Sequence, residues 1–200
     1  MEVIKIKNSL SQTLNCVKGD LISKLIAENG MYEKHSIDLM VSILRKIDSP
    51  VFLDIGANIG NHCIVISKGV SKVIAIEPVP FTFKLLSDNV NENSISNINA
   101  FNVAFSDSAG GAEILFNVSG NIGGSTLELP AEKNKYDSIK ITKVIGDDFL
   151  SENNLIKIDF IKIDVEGHEI HALNGLKKTI SQNRPIIQME WNDDNIIQGF

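Results

Sequence analysis

The chain has 200 residues, enough for one well-buried domain and too few for two ordinary ones. Apolar residues make up 43% and charged residues 22%, a globular balance that excludes wholesale disorder. Lys plus Arg total 19 against 25 Asp plus Glu, a net charge of −6 with the basic residues scattered, so a nucleic-acid or anionic-lipid partner is not expected. No run approaches the roughly 20 apolar residues of a membrane span. The stretch from Met1 to Leu10 mixes Glu2, Lys5 and Lys7 with isolated aliphatics, unlike a secretory signal. Cys16 and Cys63 lack metal-type pairing and read as reduced thiols in a cytoplasmic protein.

The first thirty residues are weakly patterned. From His35 to Ile47, Ile37, Met40, Val41 and Leu44 form an i, i+3, i+4, i+7 stripe, an amphipathic helix. Residues 1–48 are accordingly expected to be a helical or irregular segment packed on a single globular unit, 49–200. Within that unit Val51–Ile55 is a buried strand, followed by a glycine-rich turn and a helix from Ile59 to Lys68. Lys72–Glu77 is the next strand and Phe81–Asn91 the next helix. Asn99–Phe105 makes a third strand. Glu113–Val118 and Ile139–Val144 read as short strands flanking a polar loop, Ser119 to Thr126, that would face an acceptor. Asp147-Asp148 fits a helix N-cap. Ile158–Val165 is a fourth core strand, Gly167 to about Ser181 a helix, and Arg184–Glu190 a fifth strand.

Near-continuous aliphatic strands alternating with helices predict an α/β fold, a doubly wound, mostly parallel sheet with helices on both faces. The sequence stops ten residues after the fifth strand, where such a sheet normally continues. Either the domain is truncated at its C-terminal end or another element covers that edge.

The chemistry gathers at strand ends. Asp54-Ile55-Gly56-Ala57-Asn58-Ile59-Gly60 closes the first strand, and ligands of open α/β sheets bind outside the carboxyl ends of strands. Gly56 permits a sharp turn and a close backbone approach, and Asp54 is placed to accept a hydrogen bond from a ligand. A plain strand-to-helix turn is the bland alternative. Glu77 ends the second strand 23 residues after Asp54, the place of an acidic partner for a ribose diol. The pattern G-x-x-x-G is not the G-x-G-x-x-G of a pyrophosphate site, and a carboxylate so near the turn suits a cationic ligand. S-adenosyl-L-methionine, with its sulfonium and ammonium, meets these demands.

On these residues, together with Asn102–Asp107, Gly124–Leu127 and Phe160-Ile161-Lys162-Ile163-Asp164-Val165-Glu166-Gly167-His168-Glu169, the chain resembles class I methyltransferases of the FkbM type from about Tyr32 to Glu190. The resemblance implies a Rossmann-like fold and methyl transfer from S-adenosyl-L-methionine to a hydroxyl of a sugar, glycan or other small molecule. By it, Asp54, Gly56, Asn58 and Gly60 would surround the methionine portion, Glu77 would hold the ribose, and Ser106 and Asp107 would lie near the adenine. Asp107 reads equally well as a turn former. Tyr32-Glu33 would close over the cofactor, though Tyr32 reads equally well as a plain core or surface aromatic.

Asp164, at the tip of the fourth strand, ranks first as a catalytic candidate, with His168 and Glu166 behind it as further proton acceptors. An acidic helix start is the structural alternative for this segment. Lys162, polar within an aliphatic strand, argues against pure packing. Asp164 with another carboxylate and waters would suit Mg²⁺, but no second ligand stands out and no metal is expected. His35, His62 and His171 receive no role. A nicotinamide-dependent oxidoreductase, a non-catalytic cofactor-binding module and a nucleic-acid methyltransferase are the rival readings. The first lacks its glycine pattern, and the last lacks a basic surface.

Overall fold

The computed structural model describes residues 1–117, 124, 125, 127 and 136–190, without the side chains of Asn117 and Tyr136. Most of the Ser119–Thr126 loop and Trp191 lie outside the described residues.

Five parallel strands form the central sheet: β3 (Val51–Ile55), β4 (Lys72–Ile76), β5 (Ile98–Phe101), β9 (Phe160–Ile163) and β10 (Ile186–Met189), in spatial order β10-β9-β3-β4-β5. The chain winds outward from β3 through β4 to β5, then returns to the other side of β3. The boundary between β3 and β9 is thus a topological switch point. This is the expected doubly wound, Rossmann-like fold.

Both faces of β3, β4 and β9 are apolar because both are covered. On one face Phe52, Val73, Ala75 and Phe160 join a core with α2 (Lys34–Leu44), α3 (Asn61–Ile66) and α4 (Pro80–Glu92), the Phe52 and Phe160 rings lying 5.8 Å apart. On the other, Leu53, Ile55, Ile74, Ile76, Ile161 and Ile163 meet Leu150 of α5 (Gly146–Glu152) and Ala172 of α6 (Glu169–Asn174). Leu176, just before α7 (Lys177–Asn183), completes that layer.

The weakly patterned start folds as a hairpin, β1 (Val3–Lys7) and β2 (Thr13–Val17), followed by α1 (Leu21–Asn29). Asn89 of α4 and Asn93, its C-cap, satisfy the outer backbone of β2. Asn89 Oδ1 accepts from the Asn15 amide, and Asn93 Oδ1 accepts from the Thr13 amide at 3.0 Å. Asn89 is wholly buried and also donates to the Ile59 carbonyl, which pins the glycine turn to the same helix.

A second sheet holds β6 (Ala104–Ser106), β8 (Tyr136–Ile145) and β7 (Gly110–Asn117), in that order. The single strand expected from Asn99 to Phe105 is therefore two strands in two sheets. Asn102 Nδ2 donates to the carbonyls of Glu77 and Pro78, both at 2.9 Å, and turns the chain off the central sheet. The helix expected from Gly167 to Ser181 is likewise two helices. A Cβ on Gly175 would stand 2.0 Å from the Ser106 carbonyl oxygen, so the chain bends here against β6. Asp147, expected to cap its own helix, instead caps α7. It accepts from the Lys178 and Thr179 amides, both at 2.8 Å.

Candidate active site at the switch point

The carboxyl ends of β3, β4 and β9 open into a cleft of about 1150 Å³, mouth included. Helix α1 and the segment before α2 close one side, and β6, β7, Ser125 and Leu127 the other. Of the residues singled out from sequence, Gly56, Asn58, Glu77, Asp164, Glu166 and His168 line it. Asp54, Gly60, Ser106 and Asp107 are not on its wall.

The turn after β3 is shaped by its neighbours as much as by any ligand. Gly56 has φ +84°, and a Cβ there would stand 1.8 Å from the Asp164 carbonyl oxygen. Its bare backbone lets the turn after β9 pass over it. Both the Gly56 and Ala57 amides donate to the Ile76 carbonyl, and the Asp164 amide to that of Ile55. Asn58 is left-handed at φ 50°, and its amide donates to Glu77 Oε2 at 2.9 Å. The Asn58 side-chain oxygen is buried at the cleft without a hydrogen-bond partner among the described residues. Gly60, at φ +92°, makes room for Leu86 and Ile64 where α3 starts.

Glu77 is 6% exposed. Oε1 accepts from the Val79 amide at 2.9 Å and the Thr82 hydroxyl at 2.7 Å, and Oε2 from the Asn58 amide. Burial raises its carboxyl above the usual range, and these three donors oppose the rise. One carboxylate thus ties together the tips of β3 and β4 and the start of α4 while facing the cleft.

Asp54 is fully buried, in register with Ala75 on β4 and Lys162 on β9. Neither carboxylate oxygen meets a hydrogen-bond donor among the described residues, and Lys162 Nζ lies 3.9 Å from Oδ1. Burial pushes this carboxyl up, and Lys162 pulls it part of the way back.

The wall beyond β9 is acidic. Lys162 Nζ donates to Asp164 Oδ2 at 2.9 Å. Burial would raise the Asp164 carboxyl, but the Lys162 ammonium, helped by a hydrogen bond with Glu190 and by His62, offsets it, and the carboxyl titrates below its usual range. Glu166 follows at φ 52° and Gly167 at φ 104°, so the chain doubles back sharply before α6. Asp164, Glu166 and Glu190 each place a carboxylate oxygen within 4.8 Å of the others. That spacing would admit a divalent cation. Burial, reinforced by these neighbours, pushes Glu166 up to about 7 and Glu190 to about 7. Glu169 accepts from the Val165 and Gly167 amides at 3.2 and 3.1 Å, fixing the turn from inside.

His168 is buried, with Nε2 3.1 Å from the Ser106 hydroxyl, and its ring stacks on His171 at 4.6 Å. His171 Nδ1 lies 2.9 Å from Asp107 Oδ2. Ser106 and Asp107 therefore anchor α6 to β6. Tyr32 and Glu33 also line the cleft, where Glu33 Oε2 lies 3.1 Å from His62 Nε2 and the Tyr32 carbonyl accepts from Asn61 Nδ2. The contact with His62 lowers the Glu33 carboxyl against the effect of burial. His62, Thr82 and Glu190 are site residues that sequence reasoning passed over. The carboxyl-end rule that selects Glu77 selects Glu190 as well, since it follows the fifth strand.

Comparison with known proteins points the same way. The family model described as "Methyltransferase FkbM domain" matches residues 54–198. A hexuronic acid methyltransferase, AglP, of Haloferax volcanii is 31% identical over 144 residues, 71% of this chain, which spans 56% of that protein's length. The 2-O-methyltransferase NoeI of Sinorhizobium fredii is 29% identical over 176 residues, covering 80% of this chain and 70% of that one. Among solved structures, the precorrin 8w decarboxylase of Methanobacterium thermoautotrophicum aligns with a TM-score of 0.51 at 12% identity, over 84% of this chain and 68% of that one, a likeness of fold.

Proposed function

This chain belongs to the FkbM methyltransferase family, and from that premise we propose that it transfers a methyl group from S-adenosyl-L-methionine to a hydroxyl oxygen of a sugar, glycan or other small molecule. The observation that carries this reading is the charge of the cleft. Glu33, Glu77, Asp164, Glu166 and Glu190 line it, and Lys162 is the Lys or Arg among its described residues. Such a wall favours a cationic ligand and disfavours a pyrophosphate. The buried, unpartnered Asn58 oxygen at the cleft offers an acceptor to an ammonium or hydroxyl, so the residues present fit the cofactor.

When bound, S-adenosyl-L-methionine supplies an electrophilic methyl group on a positively charged sulfur. Glu77, held from behind by three donors, would accept from the ribose hydroxyls. Ala104, Phe105 and Val79 offer an apolar wall for the base. Asn58 and the Gly56 backbone, both on the cleft wall, would border the methionine end. Asp164, kept ionised by Lys162, would orient the acceptor hydroxyl. Glu166, titrating at about 7, is matched to take its proton near neutral pH. His168 ranks behind both because Ser106 already engages its Nε2. The hexuronic acid and 2-O activities named for the two relatives support a glycan hydroxyl as acceptor. No helix among the described residues is long and apolar enough to cross a membrane.

The test is calorimetric titration with S-adenosylmethionine, S-adenosylhomocysteine and NAD, followed by methyl transfer to neutral and uronic methyl glycosides. Binding of the first two without NAD, and S-adenosylhomocysteine formation with a glycoside, are expected. Preference for NAD would sink the assignment.

A further inference from the structure

Lys162 is the buried cation of the central sheet, and packing alone gives no reason for it. It sits mid-sheet on β9, 4% exposed, in register with Asp54 on β3 and Gln188 on β10. Its ammonium reaches the cleft wall, 2.9 Å from Asp164 Oδ2 and 3.9 Å from Asp54 Oδ1. A lone buried ammonium is costly unless it is paired, and so are two carboxylates at this depth. Three charges spread over adjacent strands therefore hold one another in place. Burial alone would depress the Lys162 ammonium, and Asp164 and Asp54 reverse this so that it titrates above its usual range.

Resting on the methyl-transfer reading above, we infer that Lys162 is a positioning residue of the transfer site: it aims the Asp164 carboxylate into the cleft and braces it against Asp54 behind the wall. Four facts converge on this role. Lys162 lines the cleft. It makes its hydrogen bond to the residue best placed to meet an acceptor hydroxyl. Its second neighbour, Asp54, has no other cation within ion-pair distance among the described residues. Glu33, Glu166, Glu169 and Glu190 also bear on this region, with His62 facing it from α3, so Lys162 is the counter-charge that keeps an ionised Asp164 tolerable there. Its action on the acceptor runs through Asp164.

The experiment uses the full chain with Lys162→Met and Lys162→Arg. Aspartate carboxyls are followed by carbon-13 NMR across pH, with the Asp164 signal assigned by Asp164→Asn. In Lys162→Met the Asp164 midpoint moves to higher pH, and Lys162→Arg restores it. Turnover on whichever glycoside the wild type methylates falls on the order of 10²-fold in Lys162→Met, the loss expected for a misplaced reacting group. Its acid limb moves to higher pH, because Asp164 then ionises later. Adding Lys162→Met to Asp164→Asn costs little more than Asp164→Asn alone, as for two residues acting through one path. An unmoved Asp164 midpoint, or a turnover loss equal at every pH, overturns the inference. If Lys162→Met does not fold, Asp54→Asn/Lys162→Met removes the charge left stranded and serves in the same titration. A wild type that binds neither S-adenosylmethionine nor S-adenosylhomocysteine would instead defeat the functional reading, and the NMR titration would still decide the role of Lys162 toward Asp164.

Discussion

At the tip of β4, Glu77 is a carboxylate held by three donors from two segments, the turn after β3 and the start of α4. At the tips of β9 and β10, Asp164, Glu166 and Glu190 each bring a carboxylate oxygen within 4.8 Å of the others. Both are acidic and both face one cleft, yet the first is satisfied by amide and hydroxyl donors, whereas in the second the carboxyls lean on one another and on Lys162, with Glu190 hydrogen-bonded to Asp164. A satisfied carboxylate is rigid and suits a part of the ligand that never changes. A crowded acidic wall with carboxyls near 7 can exchange a proton, and is suited to the place where bonds change. The two walls meet at Gly56, where the turn after β3 lies directly against the Asp164 carbonyl.

Four substitutions or conditions test this division. The largest effect is expected at the junction. Gly56→Ala places a Cβ 1.8 Å from a backbone oxygen at φ +84°, and should cost roughly 3–5 kcal/mol of unfolding free energy in urea. A loss below 1 kcal/mol, roughly the scale of an ordinary mutation, would show that the walls are not locked together there.

Next, Glu77→Ala strips the partner from two amides and a hydroxyl. It should weaken S-adenosylhomocysteine binding roughly tenfold to hundredfold in calorimetry, from the loss of a charge-assisted bond of about 1.5–3 kcal/mol. Unchanged affinity would remove Glu77 from the ligand site and leave it a purely structural tie.

The acidic wall should be visible in the pH dependence of stability. Glu166 and Glu190 titrate at about 7 in the folded chain, against roughly 4.3 for an unfolded glutamate. Between those values the native state binds more protons, so this stabilisation is full below about pH 4 and is lost as pH rises through 7. Tm in low salt should fall from pH 5 to pH 8, and Glu166→Gln should flatten the fall. A Tm that rises over that window would place the pressure elsewhere. Asp164 acts with the opposite sign, stabilising above the ordinary aspartate range and losing its contribution as pH drops through its lowered value.

The smallest effect is expected outside both walls. Asp107 pairs with His171 at an exposed site, and Asp107→Asn should change stability by less than about 0.5 kcal/mol, as surface pairs do. Cofactor affinity should not change. A clear loss of affinity would return Asp107 to the neighbourhood of the adenine.

Much of this architecture is written in local pattern. β3 and β4 begin and α4 runs almost where the aliphatic pattern puts them, because a strand covered on both faces must be apolar throughout. Glu77 and Asp164 are legible by the same logic, since carboxyl ends of parallel strands open on the switch point. The break at Asn102 was not legible, because the Glu77 and Pro78 carbonyls that bend the chain lie a strand away. Nor was the break at Gly175, which depends on the Ser106 carbonyl some seventy residues earlier. Asp147 looked like a cap for the helix it begins, and only packing reveals that it serves α7.

Residue types and their order were thus enough for the parallel sheet, its helical layers and the acidic strand tips, since burial and periodicity act over a few neighbouring positions. Which carboxylates share a cleft, which of them is satisfied, and which leans on Lys162 depend on strands brought together by crossovers. Charge interactions act through space at a few ångströms, and no spacing along the chain encodes them.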